Sequence, residues 1–337
     1  MCQISMRGLI MGSRVHVLSL IFGFVGFSVT LPVVANKEFP NRPIRMVIPF
    51  PAGGGADFMG REISKKLAEN LGQPVIVENK AGASGIVGAQ HVAQAKPDGY
   101  TLLLGTTGTH STNYATTPGL SYHPLNSFET VSIFGDAPFL VCLNSKLPVK
   151  NFAELIQYAR ANPGKLEFGS SGMGSSAHLG FEAMNAHLKT SMLHVPYSGL
   201  PPAITDTLGG QISMTMAPIP SAKPHIQSGK LNCVATGGRK RSALFPNMPT
   251  ISESGVPGLA IGSWYGIFAP KGTPSDIVSR ISASVLKALN EDDLRGALER
   301  VGADALSLNP AQSKKLLEDD ISISVKIATE LNIKVKP

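Results

Sequence analysis

Cysteines, charges and aromatic side chains are scarce in this sequence. Three cysteines among 337 residues exclude a disulfide-stapled miniprotein and any four-cysteine zinc or iron–sulfur site. Charged residues make up only 16% while hydrophobic residues make up 43%, a balance that excludes an intrinsically disordered chain. Because domains usually contain roughly 100–200 residues, this length predicts two of them.

Aromatic residues amount to 6%, although the formal net charge is +7. The densest basic run, Arg239-Lys240-Arg241, is short and is flanked by turn residues. Nucleic-acid grooves combine longer basic stripes with interleaved aromatics, so we expect no nucleic-acid partner. A mildly cationic surface suits the attraction of small anions instead.

Long apolar runs are also missing, apart from one near the N-terminus. The run 17–29 follows Arg7 and Arg14 and precedes a small-residue ending at Ala35. It is shorter than the roughly 18–20 residues of a membrane span, the alternative interpretation. The pattern predicts a signal peptide over 1–35, cleaved before Asn36, and therefore a periplasmic protein.

Cleavage removes Cys2 and leaves Cys142 and Cys233, each inside an apolar, strand-like run. The two thiols could pair in an oxidising compartment. Two separate buried thiols are the simpler expectation.

Strand and helix patterns alternate along the rest of the chain. Strands are predicted at 44–50, 75–77, 100–104, 131–134, 139–143, 166–170, 192–195, 212–216, 231–235 and 265–269. Helices are predicted at 57–71, 85–95, 151–162, 176–188, 202–208, 275–290 and 310–331. This alternation predicts α/β sheets covered by helices on both faces.

Two glycine-rich turns each join a strand to a helix. The first, at 49–57, contains Gly53-Gly54-Gly55 and ends at Asp57. Glycines let the backbone approach a ligand closely, and a helix N-terminus presents free N–H groups to an anion. A plain turn with Asp57 as helix N-cap is the alternative.

The second turn, at 170–179, holds four serines, two glycines and His178. Ser175 or Ser176 could simply cap the helix while His178 packs on its first turn. Neither turn contains Lys or Arg, so a bound anion would be held by backbone amides, hydroxyls and water.

Catalytic and metal-binding patterns are not found. There is no G-x-S-x-G elbow and no H-E-x-x-H motif, and a Ser175–His178 pair lacks an evident acid. We therefore expect no enzyme activity, no metal and no cofactor.

Many spaced segments together resemble one family. They include Gly53-Gly54-Gly55-Ala56-Asp57, Pro97-Asp98-Gly99-Tyr100 and His194-Val195-Pro196-Tyr197, among segments at 39–45, 47–57, 71–83, 97–103, 175–179, 194–199, 202–206, 209–211, 224–226 and 229–231. The chain resembles, over essentially its whole mature length, the Bug family (Bordetella uptake gene type) of periplasmic solute-binding receptors of tripartite tricarboxylate transporters.

The resemblance implies an α/β, two-lobed periplasmic-binding-protein fold (type II, Venus flytrap), in which each lobe is a mixed sheet flanked by helices. Lobe 1 would contain 36–138 and 263–337, and lobe 2 would contain 139–262. It also implies a small carboxylate ligand held by both turns in the cleft between the lobes. The implied ligand-binding residues are Phe50, Ala52, Gly54, Gly55, Asp57, Ser170, Gly174, Ser175, Ser176, His178, Tyr197 and Ser198, whereas Asp206 is assigned a structural role.

The sequence departs from the family pattern at two places beside this expected site. Ser198 stands where Lys is frequent, and Ala217-Pro218 stand where an Asp or Asn and a small residue are usual. A pocket that contains Ser198, Ala217 and Pro218 should be more apolar or roomier, which favours a carboxylate with an apolar or aromatic body over an amino acid or citrate.

The expected role is that of a monomeric receptor that delivers a carboxylate to membrane permease subunits. A receptor that presents its ligand to a sensor histidine kinase is the alternative of the same kind. An enzyme on the same fold is the alternative of a different class.

Overall fold

The computed structural model describes residues 39–53, 55–300 and 302–334. The predicted signal peptide at 1–35, its cleavage point before Asn36 and the predicted ligand contact Gly54 lie outside these residues. No helix within the described ranges combines the length and the apolar composition needed to cross a bilayer.

Strands and helices alternate through the described residues. The strands are β1 Ile44–Ile48, β2 Val75–Asn79, β3 Thr101–Thr106, β4 Phe128–Asn144, β5 Glu167–Ser170, β6 Leu193–Pro196, β7 Met214–Pro218, β8 Leu231–Thr236, β9 Gly262–Pro270 and β10 Asp304–Ala305. The helices are α1 Gly55–Leu71, α2 Ile86–Ala93, α3 Asn113–Thr116, α4 Phe152–Ala161, α5 Ser176–Leu188, α6 Leu200–Gly209, α7 Ile219–Gln227, α8 Ser275–Ala288, α9 Asp292–Arg300 and α10 Pro310–Glu330.

The strands form one mixed sheet in the order β2-β1-β3-β9-β4-β7-β5-β6, with β8 and β10 also paired to β4. The strands at each end of this order, β2-β1-β3 and β7-β5-β6, are parallel, while β9 and β4 run antiparallel to their neighbours. Parallel strands connected through helices are the expected result of strand–helix alternation.

The long strand β4 corrects a prediction. The sequence indicates two strands, at 131–134 and 139–143, because Gly135 to Pro138 has the composition of a turn. The structure instead has one strand, because β9 pairs across this gap, with Asp136 opposite Trp264 and Pro138 opposite Gly262. The pairing partner, about 125 residues away in sequence, decides the conformation.

Two regions of apolar packing lie on either side of Pro138. Buried side chains of β1, β3, α1 and α8 pack together, among them Ile44, Ile63, Leu102 and Ile281. A second set, built on β5, β7, α4 and α5, includes Phe152, Phe168, Phe181 and Met214. The assignment of 36–138 and 263–337 to one lobe and 139–262 to another stays a prediction.

Helices α7 and α9 were not predicted. The sequence did not indicate α7 because it contains Pro220 and Pro224. Pro220 lies in the first helical turn, where proline is compatible with helix formation, whereas Pro224 lies inside the helix. In α9, the buried Leu294, Ala297 and Leu298 follow helical spacing, so a signal for this helix was present in the sequence.

The expectation of two separate thiols was wrong: Cys142 and Cys233 form a disulfide. The antiparallel β4–β8 ladder places these residues directly opposite each other. Their Cα atoms are 3.9 Å apart although the residues are 91 positions apart in sequence. Strand register therefore decides the pairing, and a single sequence does not reveal register.

Candidate functional site

The first glycine-rich turn lies at the carboxyl edge of β1, β2 and β3. Ile48 of β1 is level with Asn79 of β2, and Thr106 of β3 is level with Tyr265 of β9. Since Trp264, the neighbour of Tyr265, pairs with Asp136, this edge reaches β4 just before Pro138.

The second glycine-rich turn reaches the same part of β4 from the other end of the sheet. Ser170 of β5 is level with Pro196 of β6, and Pro218 of β7 pairs with Phe139 of β4. The carboxyl ends of both groups of parallel strands therefore converge on Pro138–Phe139. Such edges, where helix N-termini and loops gather, are the usual ligand sites of parallel α/β sheets.

Asp57 fixes the first turn from inside. One carboxylate oxygen accepts the Gly53 N–H at 2.9 Å and the other accepts Asn79 Nδ2 at 2.9 Å. Arg61 Nε donates to both oxygens, at 3.0 and 3.1 Å. The hydrogen bond from Arg61, helped by those from Gly53 and Asn79 and opposed by burial, lowers the pKa of Asp57 to about 2. The protein thus uses both oxygens of this buried carboxylate to shape the turn.

The other predicted residues of this turn surround that anchor. Phe50 is half-buried, and its carbonyl accepts a hydrogen bond from Asn79 Nδ2 at 3.1 Å. Ala52 and Gly55 are exposed, and a Cβ at Gly55 would lie 3.2 Å from Tyr265 Oη. Gly55 begins α1, so the N-terminus of a 17-residue helix lies beside the start of β9.

The second turn is held by hydrogen bonds from its own polar residues. The buried Ser170 Oγ accepts the Gly172 N–H at 3.1 Å, and the buried Gly174 donates its N–H to His178 Nδ1 at 3.0 Å. Ser175 is the N-cap of α5 and accepts the His178 N–H at 3.3 Å. Ser175 therefore caps α5, as its helix-capping alternative anticipated. Asp57 is not the N-cap expected of it: it lies inside the first turn of α1 and accepts the N–H of Gly53, which precedes the helix.

Two amides at the start of α5 remain available. Within the described ranges, the N–H groups of Ser176 and Ala177 have no protein acceptor. Both belong to the first turn of a 13-residue helix, where the partial positive charge of the helix dipole is located. The second turn therefore offers donors suited to an anion.

A histidine pair lies beneath the second turn. The rings of His178 and His194 stack with centroids 3.9 Å apart, and Phe168 lies against His194 with centroids 5.0 Å apart. Burial lowers the pKa of His178. Burial, together with the repulsion that a protonated His178 would exert, lowers the pKa of His194 to about 4. Both rings are therefore neutral at pH 7. His194 was not among the predicted site residues, although its motif carried the resemblance.

Tyr197 and Ser198 follow β6. Tyr197 is half-buried and donates from Oη to Asp206 Oδ2 at 2.8 Å. Burial, and then the Asp206 carboxylate, raise the pKa of Tyr197 to about 12. Ser198 is exposed. The contact with Tyr197 agrees with the structural role expected of Asp206.

Ala217 and Pro218 end β7. Ala217 is buried in an apolar cluster that includes Leu140 and Ile204, and Pro218 is half-buried opposite Phe139. The strand end beside the second turn is therefore apolar. Met173, between Gly172 and Gly174, keeps half of its side chain exposed (50%).

The basic run at 239–241 lies next to the convergence point. Arg239 pairs with Asp136 at 3.7 Å, Lys240 with Asp304 at 3.1 Å and Arg241 with Glu253 at 2.9 Å. Each of its cations thus has a carboxylate partner. Within residues 39–53, 55–300 and 302–334, no group of three or more His, Cys, Asp or Glu side chains is arranged to hold a metal ion.

The fold is that of the periplasmic binding proteins. Solved structures with the same fold include the periplasmic binding protein BugD, which is 32% identical with a TM-score of 0.76 and aligns over 89% of this chain and 100% of BugD. The α/β periplasmic-binding-protein fold expected from the sequence is confirmed.

The family follows from the sequence match. Residues 59–333 match the model of a family described as tripartite tricarboxylate transporter family receptor (TctC). The chain belongs to this family, as the resemblance to Bug proteins predicted.

Two further solved structures contain carboxylates. Rpa4515 of R. palustris, solved with adipate, is 33% identical with a TM-score of 0.79, and the alignment covers 89% of this chain and 100% of Rpa4515. MatC of Rhodopseudomonas palustris, solved with bound malate, is 34% identical with a TM-score of 0.75, and the alignment covers 86% of this chain and 99% of MatC.

Proposed function

We propose that this chain is a periplasmic receptor that binds a small carboxylate between its two glycine-rich turns and delivers it to the membrane subunits of a tripartite tricarboxylate-type transporter. The observation that carries the proposal is the convergence of both sets of parallel strand ends on Pro138–Phe139. Each turn there leads into a helix N-terminus, and two such ends can share one carboxylate-bearing ligand.

The proposed ligand contacts keep the expected kinds of donor, namely backbone amides, hydroxyls and water, and they add Ala177, which was not among the residues expected from the sequence. Ser176 and Ala177 supply amides, Ser175 and Ser176 supply hydroxyls, and bound water completes the shell of each carboxylate oxygen. Asp57 acts through the shape of the first turn, because its oxygens already accept protein donors.

The apolar surroundings favour a ligand with an apolar body. Ala217, Pro218 and the half-exposed Met173 add no charge beside the second turn. Adipate, the ligand of the relative Rpa4515, has four methylene groups between its carboxylates, whereas the malate of MatC carries a hydroxyl. We propose adipate-like carboxylates as the preferred class, and a binding role without catalysis, since the family and its solved members are solute-binding proteins.

Calorimetry with adipate, malate, citrate and benzoate tests this proposal. We expect adipate or benzoate to bind at least about tenfold more tightly than citrate, which corresponds to about 1.4 kcal/mol. Small-angle scattering should show a smaller radius of gyration with the bound carboxylate, because a ligand held by both turns favours a closed form. Absence of binding to all four carboxylates would contradict the proposal.

Cell-based measurements test the remaining parts. Material from the periplasm should begin at Asn36, elute as a monomer, and cross-link to the permease and not to a histidine kinase. Recovery with a kinase alone would favour the sensor alternative.

A further inference from the structure

The two stacked histidines reach the two glycines of the second turn by different routes. His178 contacts Gly174 directly, through the 3.0 Å hydrogen bond to Nδ1. His194 has no hydrogen bond to either glycine among the described residues, but its Nε2 lies 2.7 Å from Ser170 Oγ, which accepts the Gly172 N–H.

The protons on these groups can be assigned from their contacts. Ser170 Oγ accepts the Gly172 N–H at 3.1 Å and donates to the Gly172 carbonyl at 3.0 Å. A hydroxyl has only one proton, so all its contacts are satisfied together when His194 donates from Nε2. His178, whose Nδ1 accepts, carries its own proton on Nε2.

We propose that His194 is a positioning residue for the anion site. By donating to Ser170, it fixes the Gly172 peptide. The second turn then keeps the shape that leaves the amides of Ser176 and Ala177 free to bind a ligand. Gly172 has a φ of +119°, a conformation that costs energy for most residues and that a flexible turn would leave readily. The effect on the turn stands independently, whereas the effect on binding rests on the carboxylate role proposed above.

Amide exchange of the ligand-free protein, measured by NMR, tests the effect on the turn. His194→Phe keeps an aromatic ring between Phe168 and His178 but removes the donor. We expect Gly172 to exchange about tenfold faster in this variant, and within about twofold of wild type in His194→Gln, whose side-chain amide can donate instead. His187→Phe, at an exposed position of α5, the helix that carries His178, is the control and should leave the exchange of Gly172 unchanged.

A double variant separates the two routes. Because His194 acts only through Ser170, His194→Phe combined with Ser170→Ala should exchange at Gly172 no faster than Ser170→Ala alone. Gly174, which is bound by His178, should keep its wild-type exchange rate in Ser170→Ala. Additive effects, or an unchanged rate in His194→Phe, would overturn the proposal. If His194→Phe does not fold, His194→Leu provides the same test.

Calorimetry with adipate and malate gives the binding readout. His194→Phe should weaken whichever of them the wild-type protein binds by about threefold to tenfold, and His194→Gln should restore it. If the wild type binds neither, the proposed function fails in this form while the exchange measurement still decides the role of His194. Equal affinities of wild type and His194→Phe would refute the binding part.

Discussion

Cys142 is disulfide-bonded to Cys233, its neighbour across the β4–β8 ladder. The bond closes a long loop, since the two residues are 91 positions apart. It also fixes β8 to β4 only a few residues from Pro138–Phe139, where both groups of strand ends converge. The disulfide therefore stabilises the frame that holds the candidate site.

Removing this disulfide should lower the free energy of unfolding by about 2–4 kcal/mol, because a long cross-linked loop restricts the unfolded chain. Urea titrations of wild type and of the Cys142→Ala/Cys233→Ala variant, each with and without reductant, measure this. Reductant should shift the wild-type midpoint toward that of the variant and leave the variant unchanged. A wild-type midpoint that ignores full reduction would contradict the prediction.

Asp57→Asn should destabilise the protein by on the order of 2 kcal/mol at pH 7, since Asp57 is buried and has a folded-state pKa of about 2. A lowered carboxyl pKa gives stability that is present above pH 4 and lost as the pH falls toward 2. The difference between wild type and variant should therefore shrink between pH 4 and pH 2. Asp98→Asn, at an exposed ion pair with Arg42, is the control and should change stability little.

The histidine pair predicts a loss of stability in mild acid. The folded-state pKa values of His178 and His194 are both lowered, that of His194 to about 4, so the unfolded chain binds more protons between about pH 6.5 and 4. The free energy of unfolding should consequently fall as the pH drops through this window.

In His194→Gln, the free energy of unfolding should fall less steeply with decreasing pH than in the wild type. Denaturant titrations at pH 7, 6, 5 and 4.5 measure this slope. Part of the slope should remain, because burial also lowers the pKa of His110, to about 3. A variant with the same slope as wild type would show that the folded protein tolerates a charged His194.

Ser175→Ala combined with Ser176→Ala should weaken carboxylate binding by on the order of tenfold, because two hydroxyls, each contributing about 0.5–1.5 kcal/mol, are lost. Ser175 is also the N-cap of α5, so the variant should lose about 1 kcal/mol of stability. Asn151→Ala provides the matched control: it removes the N-cap of α4, far from the strand ends, and should lower stability without changing affinity.

Met173→Gln should reduce the preference for adipate over malate severalfold, because a polar side chain replaces an apolar one where the ligand body is proposed to lie. Thermal stability should hardly change, since half of this side chain is exposed. Leu193→Gln is the control: Leu193 is similarly exposed, at 49%, but it lies at the start of β6, whereas the end of β6 lies beside the second turn. This variant should leave the preference for adipate over malate unchanged. An equal preference in wild type and Met173→Gln would place the ligand body elsewhere.

Part of the candidate site could be predicted because its signals are local. Strand–turn–helix patterns with glycines and serines identified both turns, and α5 was predicted with its observed bounds, Ser176–Leu188. Asn79 and His194 were missed because their roles depend on contacts with residues 22 and 24 positions away. A single polar side chain carries no sign of such a partner. Arg61 was missed although it stands four residues after Asp57 on a predicted helix, a spacing that indicates an ion pair.

The amino-acid sequence by itself determined the α/β class, the two glycine-rich turns and the family, because hydrophobic periodicity, turn residues and spaced motifs are properties of neighbouring residues. Only the tertiary structure decided that β4 is one strand, that Cys142 meets Cys233, and that both turns converge on Pro138–Phe139. Each of these depends on strand register between distant segments, and register is set by the packing of whole sheet faces.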